Sequence, residues 1–388
     1  TINMMNILLA TGEYPPLQGG VGAYTAELAS ALNTLGVQVS VMTSTSVATG
    51  HQTQPNNVPV YPSVKRWDWR IWSAIHSHAE TIGADWIHVQ YQTAAFGMNP
   101  AINVAPWRWR ASRFNVAWTY HDLLIPYLFP KAGDGLRRWV TEWPSTQSDL
   151  TIVTNEGDRL QLAEKNVPQL HKIPIGSNIQ GKILPESECQ QRRVMRGYGQ
   201  DDLVLAYFGF LNRSKGGKLL IRTLHQLVQQ RPNTYLLMIG ERVGASDVTN
   251  YAYLQEVEAL VADLGLTAHV QWTGHQSQED VSADLHACDV LVMPYADGVS
   301  LRRGTLMAGL ANGCAIVTTT PQAPLPELVD GEDLCYAAYD ADALTAAINR
   351  IVTQPEFAAT LQKNAYAKSK QFTWDTIAQQ HVACYQSI

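Results

Sequence analysis

The sequence lacks the features of a membrane-spanning, disulfide-linked or secreted protein. Its 388 residues contain no apolar run of about 18 residues, the length that a bilayer-spanning helix needs. The five cysteines are an odd number and no two have metal-ligand or redox-motif spacing, so we expect reduced thiols. The first ten residues lack the basic flank and cleavage site of a signal peptide, which predicts a cytoplasmic protein.

Several motifs of known catalytic sites are also missing. The sequence contains no P-loop, no His-Glu-x-x-His and no Gly-x-Ser-x-Gly. The single Asp-x-Asp, formed by Asp340 and Asp342, precedes an apolar helical segment, so we interpret it as a helix N-cap rather than a metal site. We therefore expect a site that uses no divalent metal and no other cofactor.

Charge is sparse, at 16% of residues, and unevenly distributed. The net charge of −6 argues against nucleic acid as a partner, and all of it lies beyond residue 180, because the first 180 residues hold twelve charges of each sign. The same half holds nine of the eleven tryptophans, several beside arginine in segments 66–70, 107–110 and 137–139. Such pairs are typical of a lipid or glycan surface, and partly buried rings beside solvated arginines are the alternative.

What the chain does contain is an alternation of strand-like and helix-length segments that restarts halfway. Strands are predicted at 5–10, 37–43, 86–90, 116–120, 150–153, 203–208, 235–239, 270–273, 290–293 and 315–318. This alternation predicts an α/β protein with two Rossmann-like, doubly wound parallel sheets. The length suits two domains, which we place at residues 1–180 and 181–369, with a linker near 174–185 and a cleft between them.

Two basic segments of the second half are predicted to bind an anion. Arg213 and Lys215 lie in a glycine-containing loop between a strand and a helix, where they can neutralise a pyrophosphate. We expect the Lys215 side chain to be exposed, and a solvated basic turn is the alternative. Further along the chain, an acidic residue and two arginines precede a helix start, and together they form a candidate anion site: Asp297, Arg302, Arg303, Gly304 and Thr305.

Candidate residues of the first half follow two strands. Gly19 and Gly20 lie between the first strand and the first helix, where glycine lets backbone amides approach a phosphate; a plain tight turn is the alternative. His121 ends a strand and can hydrogen-bond a sugar hydroxyl as a neutral imidazole, whereas a core histidine is the alternative. His88 has a similar position, and this argument does not separate the two.

In their order along nearly the whole chain, these segments resemble glycosyltransferase family 4. The matching pieces are 13–16, 19–22, 120–122, 173–178, 215–216, 237–240, 272–275, 288–290, 310–313 and 372–375. The resemblance implies a GT-B fold in which the C-terminal helix, within 370–388, returns to the first domain. It also implies retaining transfer of a hexose from a nucleotide-diphosphate sugar, without a metal, to a glycan, lipid or small-molecule acceptor.

The resemblance also assigns roles to residues. Lys215 would hold the donor diphosphate, Gly19 and Gly20 would close over it, and His121 would touch the sugar. The remaining donor-binding residues that we expect are Gly240, Glu241, Gly274 and His275, the last two of which would read the base.

The chain departs from the family pattern at two places. Phe210 stands where the family has an arginine, so we expect a second cation from elsewhere and favour Arg303 over Arg302 and Arg213. The family's paired glutamates are absent, which leaves Asp297 as the carboxylate nearest the donor. Residues 298–304 resemble the Gly-Val-Ser-x-Arg-Arg-Gly loop of a subgroup, which favours an active enzyme.

The alternative functions are a degenerate partner that only binds a sugar nucleotide, and a GT-B epimerase. A peripheral contact of the Trp/Arg-rich first domain with the inner membrane face is a further expectation.

Overall fold

The computed structural model describes residues 5–17, 19–49, 58–126, 128, 130–179, 181–242 and 248–388. The chain forms two compact units. The first comprises Thr1–Gly176 and Thr373–Ile388, and the second is Ser177–Phe372. Since the sequence places the same two borders at 180/181 and 369/370, the structure moves them by four and three residues.

The described part of the first unit contains a seven-stranded parallel sheet in the order β3-β2-β1-β4-β5-β6-β7. Its strands are β1 Asn6–Thr11, β2 Gln38–Ser44, β3 Val60–Val64, β4 Trp86–Tyr91, β5 Asn115–Tyr120, β6 Leu150–Val153 and β7 Leu170–Lys172. The helices between them are α1 Gly20–Thr34, α2 Ile71–Ile82, α3 Ala101–Trp109, α4 Gly133–Gln147 and α5 Glu156–Ala163.

The described part of the second unit repeats this plan with six parallel strands in the order β10-β9-β8-β11-β12-β13. The strands are β8 Leu203–Phe208, β9 Thr234–Ile239, β10 Val270–Trp272, β11 Val290–Met293, β12 Ile316–Thr319 and β13 Cys335–Ala337. The helices are α6 Glu186–Arg196, α7 Gly217–Gln230, α8 Val248–Asp263, α9 Gln278–Ala287, α10 Gly304–Ala311, α11 Ala341–Thr353 and α12 Pro355–Ser369.

The central strands form because they are mostly apolar and buried on both faces. Every residue of β4 and of β11 is buried, as parallel sheets covered by helices require. The sequence missed three of the four edge strands of the described sheets, β3, β7 and β13, and predicted the fourth, β10. β3 alternates between exposed and half-buried positions and contains Pro62, so it has no apolar run to detect.

The last helix, α13 Trp374–Gln386, belongs to the first unit, and the two predicted Rossmann-like parallel sheets are confirmed. Ile377 and Tyr385 of α13 are buried in one cluster with Leu28 and Leu32 of α1. The predicted cap before α11 is also confirmed, because the Asp340 carboxylate accepts the backbone N–H groups of Asp342 and Ala343.

Candidate active site

The loop that follows β8 is folded against the end of β11. The Asn212 side chain accepts the backbone N–H of Lys215 at 3.0 Å and closes a short turn. Gly216 then adopts a φ of +70°, and a β-carbon at this position would overlap the carbonyl of Pro294. Only glycine suits both the conformation and the space, so the loop brings Lys215 to the carboxyl end of the sheet.

The Lys215 ammonium lies at the point where β8, its loop and α10 meet. A β-carbon on Gly209 would stand 3.3 Å from Lys215 Nζ and 2.9 Å from the methyl group of Thr305. Burial, together with the charge of Arg303, lowers the pKa of Lys215 to about 8. The expectation of an exposed lysine is therefore wrong, because the side chain folds back over Gly209 instead of entering solvent.

Asp297 holds the two neighbouring arginines. Arg302 Nη2 donates to one carboxylate oxygen at 3.2 Å, and Arg303 donates to the other. The Arg303 guanidinium also lies 4.5 Å from the ring centroid of Tyr295, and its Nε is buried without a hydrogen-bond partner among the described residues. Arg303 is thus fixed by an ion pair and an aromatic face, and it keeps a donor for a ligand.

Helix α10 begins directly after this pair of arginines. The Arg303 carbonyl accepts the N–H of Leu306 at 2.9 Å, which opens the first turn, and Gly304 and Thr305 occupy the first helical positions. The Thr305 hydroxyl bonds to the Tyr295 hydroxyl. The first amides of a helix attract anions, so the α10 start, Lys215 and Arg303 form one positive site able to hold a diphosphate.

The other residues predicted for the second unit lie around this site in two places. A β-carbon on Gly240 would stand 3.9 Å from the Gly209 backbone nitrogen, and Gly240 pairs with Gly274 across an isolated bridge. The Glu241 carboxylate is 3.4 Å from the His275 imidazole. Arg213 is directed toward α8, where its 69% exposed side chain pairs with Glu256 at 2.6 Å. Arg213 is therefore the least enclosed of the three candidate arginines.

In the first unit, His121 follows β5 and is held from two sides. Its Nε2 lies 3.0 Å from Gln90 Oε1, and its ring packs edge-on against Tyr24 with the centroids 4.6 Å apart. Burial, followed by the charge of His381, lowers the pKa of His121 to about 3, so the imidazole is neutral at physiological pH.

Gly19 and Gly20 start helix α1 in the same unit. A β-carbon at Gly19 would overlap the carboxylate of Glu13, whereas Gly20 has nothing within 4 Å. Burial raises the pKa of Glu13, and its Oε2 has no hydrogen-bond partner among the described residues. A side chain at position 19 would therefore displace this carboxylate.

Sequence reasoning missed Gln90 and Tyr295, which orient His121 and Arg303. Both lie at or just after the carboxyl end of a strand, β4 for Gln90 and β11 for Tyr295. That position was a usable signal, because side chains at this edge surround the ligand crevice of a doubly wound sheet.

Comparisons with known proteins agree with this architecture. Residues 18–181 match the family model described as Glycosyltransferase Family 4, and residues 192–368 match Glycosyl transferases group 1. The putative glycosyltransferase EpsD of Bacillus subtilis is 26% identical over 257 residues. This alignment covers 62% of our chain and 62% of EpsD, so the chain matches about three fifths of the length of that relative.

Two solved structures share the fold along the whole chain. Sucrose-phosphate synthase from Thermosynechococcus elongatus has a TM-score of 0.78 and 22% identity, covering 99% of this chain and 98% of its own. HepE from Anabaena, in complex with UDP and glucose, has a TM-score of 0.78 and 17% identity, covering 99% and 100%. The two matched domains and the paired parallel sheets identify the chain as a glycosyltransferase family 4-like protein with the GT-B fold.

Proposed function

We propose that the protein is a retaining glycosyltransferase that transfers a hexose from a nucleotide-diphosphate sugar. One observation carries the proposal: the Lys215 ammonium, Arg303 and the start of α10 converge at the carboxyl end of the second sheet. This is the place where a doubly wound domain binds phosphates. Three independent positive groups match the charge of a diphosphate.

These groups would act by stabilising the leaving group. As the bond from the hexose C1 to the diphosphate breaks, negative charge grows on the phosphate oxygens, and a preorganised donor at such a position contributes about 3 to 4 kcal/mol. The acceptor oxygen forms its bond to C1 on the face that the diphosphate leaves, and the acceptor proton passes to a phosphate oxygen. In this scheme Asp297 orients Arg303 and Arg302 and is not itself the base.

The same charges support transfer without a divalent metal. A metal ion in a phosphoryl site neutralises the diphosphate and stabilises it as it leaves. Here Lys215 and Arg303 supply two positive charges, and α10 adds its amide donors. The carboxylate of Asp297 is already shared by two arginines, which makes it a poor metal ligand.

The donor is proposed to be a uridine-diphosphate hexose, because HepE binds UDP and glucose on the same fold. The proposed acceptor is a glycan, lipid or small molecule. We also propose that the first unit contacts a membrane surface through exposed leucine and tryptophan side chains of α4. No helix in the described part of the chain is both long and apolar enough to cross a bilayer.

Calorimetric titration with UDP-glucose, combined with an assay of UDP release, tests the proposal. We expect binding in EDTA and slow release of UDP by hydrolysis, which an acceptor accelerates. Tight binding with no release of UDP would instead identify the degenerate binding partner, which the missing glutamates favour. Conversion to a second sugar nucleotide without an acceptor would identify an epimerase.

A further inference from the structure

A line of buried polar groups connects the C-terminal helix with His121. Tyr385 of α13 lies at one end, with its hydroxyl 2.5 Å from His88 Nδ1. Gln90 Nε2 is 3.2 Å from His88 Nε2, and Gln90 Oε1 is 3.0 Å from His121 Nε2. His88 and Gln90 have no exposed surface, and Tyr385 has 3%. Buried polar groups without a function are replaced by apolar ones at little cost, so this line requires an explanation.

The orientation of the Gln90 side-chain amide sets the direction of every bond. The Gln90 carbonyl can only accept, so His121 must donate from Nε2. The Gln90 amide can only donate, so His88 Nε2 must be the acceptor. The Thr119 hydroxyl, 2.7 Å from the same nitrogen, also donates to it. His88 then carries its proton on Nδ1 and donates to the Tyr385 oxygen.

All three histidines of this cluster are neutral at physiological pH. Burial lowers the pKa of His88 well below its ordinary value, that of His121 to about 3 and that of His381 to about 4. Each ring therefore has one protonated nitrogen, and the line leaves His121 with its proton on Nε2. Nδ1 is then an unprotonated acceptor, suited to a hydroxyl donor.

Helix α13 reaches His121 by a second route. His381 Nε2 is 3.3 Å from the Tyr24 hydroxyl, and the Tyr24 ring packs against the His121 ring. His381 Nδ1 lies 2.8 Å from the Ile377 carbonyl of its own helix, which fixes that end. Helix α13 thus limits both the tautomer and the tilt of the His121 imidazole.

We propose that α13 positions His121, with Tyr385, His88 and Gln90 as the positioning residues that hold the imidazole with Nδ1 as acceptor. The role of that imidazole in transfer rests on the proposed function, whereas its tautomer does not. In the proposed reaction Nδ1 receives a hydroxyl of a substrate, and a disordered ring would lower turnover.

Nitrogen-15 NMR of the full chain labelled at histidine tests the tautomer directly. The His121 signals are assigned by their loss in His121→Asn. In the wild type at neutral pH we expect a protonated Nε2 and an unprotonated Nδ1. In Tyr385→Phe and Gln90→Leu we expect a mixture of tautomers, with kcat about five- to tenfold lower, the effect of one hydrogen bond, and KM for UDP-glucose little changed.

Tyr198→Phe is the matched control, since it removes a largely buried tyrosine hydroxyl that donates to Gln271 in the second unit. It should leave the His121 signals and kcat unchanged. A wild-type His121 protonated on Nδ1, or a tautomer unchanged in folded Tyr385→Phe and Gln90→Leu, overturns the proposal. If the His121 tautomer changes in these variants while kcat stays constant, the result supports the positioning of His121 by Tyr385, His88 and Gln90 and contradicts the role of His121 in transfer.

Discussion

Lys215 combines a charge that the proposed reaction needs with a location that disfavours it. Its pKa is about 8 in the folded chain and 10.5 ordinarily, so the folded state binds fewer protons between these pH values. The stability contributed by this group is therefore low at neutral pH and rises as the pH increases from about 8 to about 10. We expect Lys215→Met to have a higher Tm than the wild type at neutral pH, and to lose the increase in stability between about pH 8 and about pH 10. Thermal denaturation at several pH values measures both effects.

The same substitution should lower kcat about a hundredfold, because it removes a preorganised donor to the leaving group. Lys218→Met is the control, since Lys218 pairs with Glu256 on the solvent side of α7. It should keep both kcat and the pH dependence of Tm. Retention of more than about a tenth of kcat in Lys215→Met would show that this ammonium does not contact the leaving diphosphate.

The three candidate arginines differ in what they contact, and this separates their expected effects. Arg303 is 14% exposed and fixed by Asp297 and Tyr295, whereas Arg213 pairs with Glu256 in solvent. We expect kcat to fall about a hundredfold in Arg303→Ala and severalfold in Arg302→Ala, and to stay constant in Arg213→Ala. Arg303→Lys should also be damaging, because an ammonium lacks the planar fork that bonds Asp297 and phosphate together.

Separate measurement of kcat and nucleotide affinity for these four variants decides between the two basic segments. If only Arg213→Ala loses activity, the phosphate site belongs wholly to residues 209–217, and our interpretation of residues 302–304 is wrong.

At the scale of an element, helix α4 is unusual because apolar side chains lie on its solvent face. Leu136 and Trp139 are 54% and 53% exposed, and Trp139 stacks on Trp143. Lys131 and Arg138 add exposed positive charge beside them. We expect the chain to bind vesicles of anionic lipid more tightly than neutral vesicles, because the rings enter the interface while the cations meet lipid phosphates.

The variant Leu136→Ser/Trp139→Ser tests this surface by co-sedimentation with vesicles. Since each buried apolar side chain contributes about 1.5 kcal/mol or more, we expect at least a tenfold loss of affinity. Leu160→Ser changes an exposed leucine on α5 and should bind as the wild type does. Equal binding by all three proteins would place the contact elsewhere.

At the scale of the whole molecule, much of the fold was predictable because both sheets have apolar central strands. Three of the four edge strands in the described sheets, β3, β7 and β13, escaped prediction since they are short or half exposed. The candidate site residues could be predicted from the sequence because they lie at strand ends and helix starts. The burial of Lys215 could not be predicted, because it depends on contacts with Arg303 and Thr305, which are distant in sequence. The sharing of Asp297 by two arginines could not be predicted either, because it depends on how the loop between residues 297 and 303 folds.

Ligand binding, protonation and the stability of the whole chain are linked through the same lysine. A bound diphosphate favours the charged amine, so the donor should bind the protonated form of Lys215 and raise its pKa. In the free protein this form declines above about pH 8. The affinity for UDP-glucose should therefore be nearly constant up to about pH 7.5 and fall about fivefold between about pH 8 and pH 9. Calorimetry in EDTA across this range measures the decline and the accompanying proton uptake, and the increase in Tm caused by the ligand should decline in parallel.

Lys215→Met should bind UDP-glucose more weakly than the wild type, with an affinity that does not change with pH. A wild-type affinity that stays constant to about pH 9.5 would show that the donor phosphates lie away from Lys215, and loss of binding in EDTA would assign the charge neutralisation to a metal ion instead.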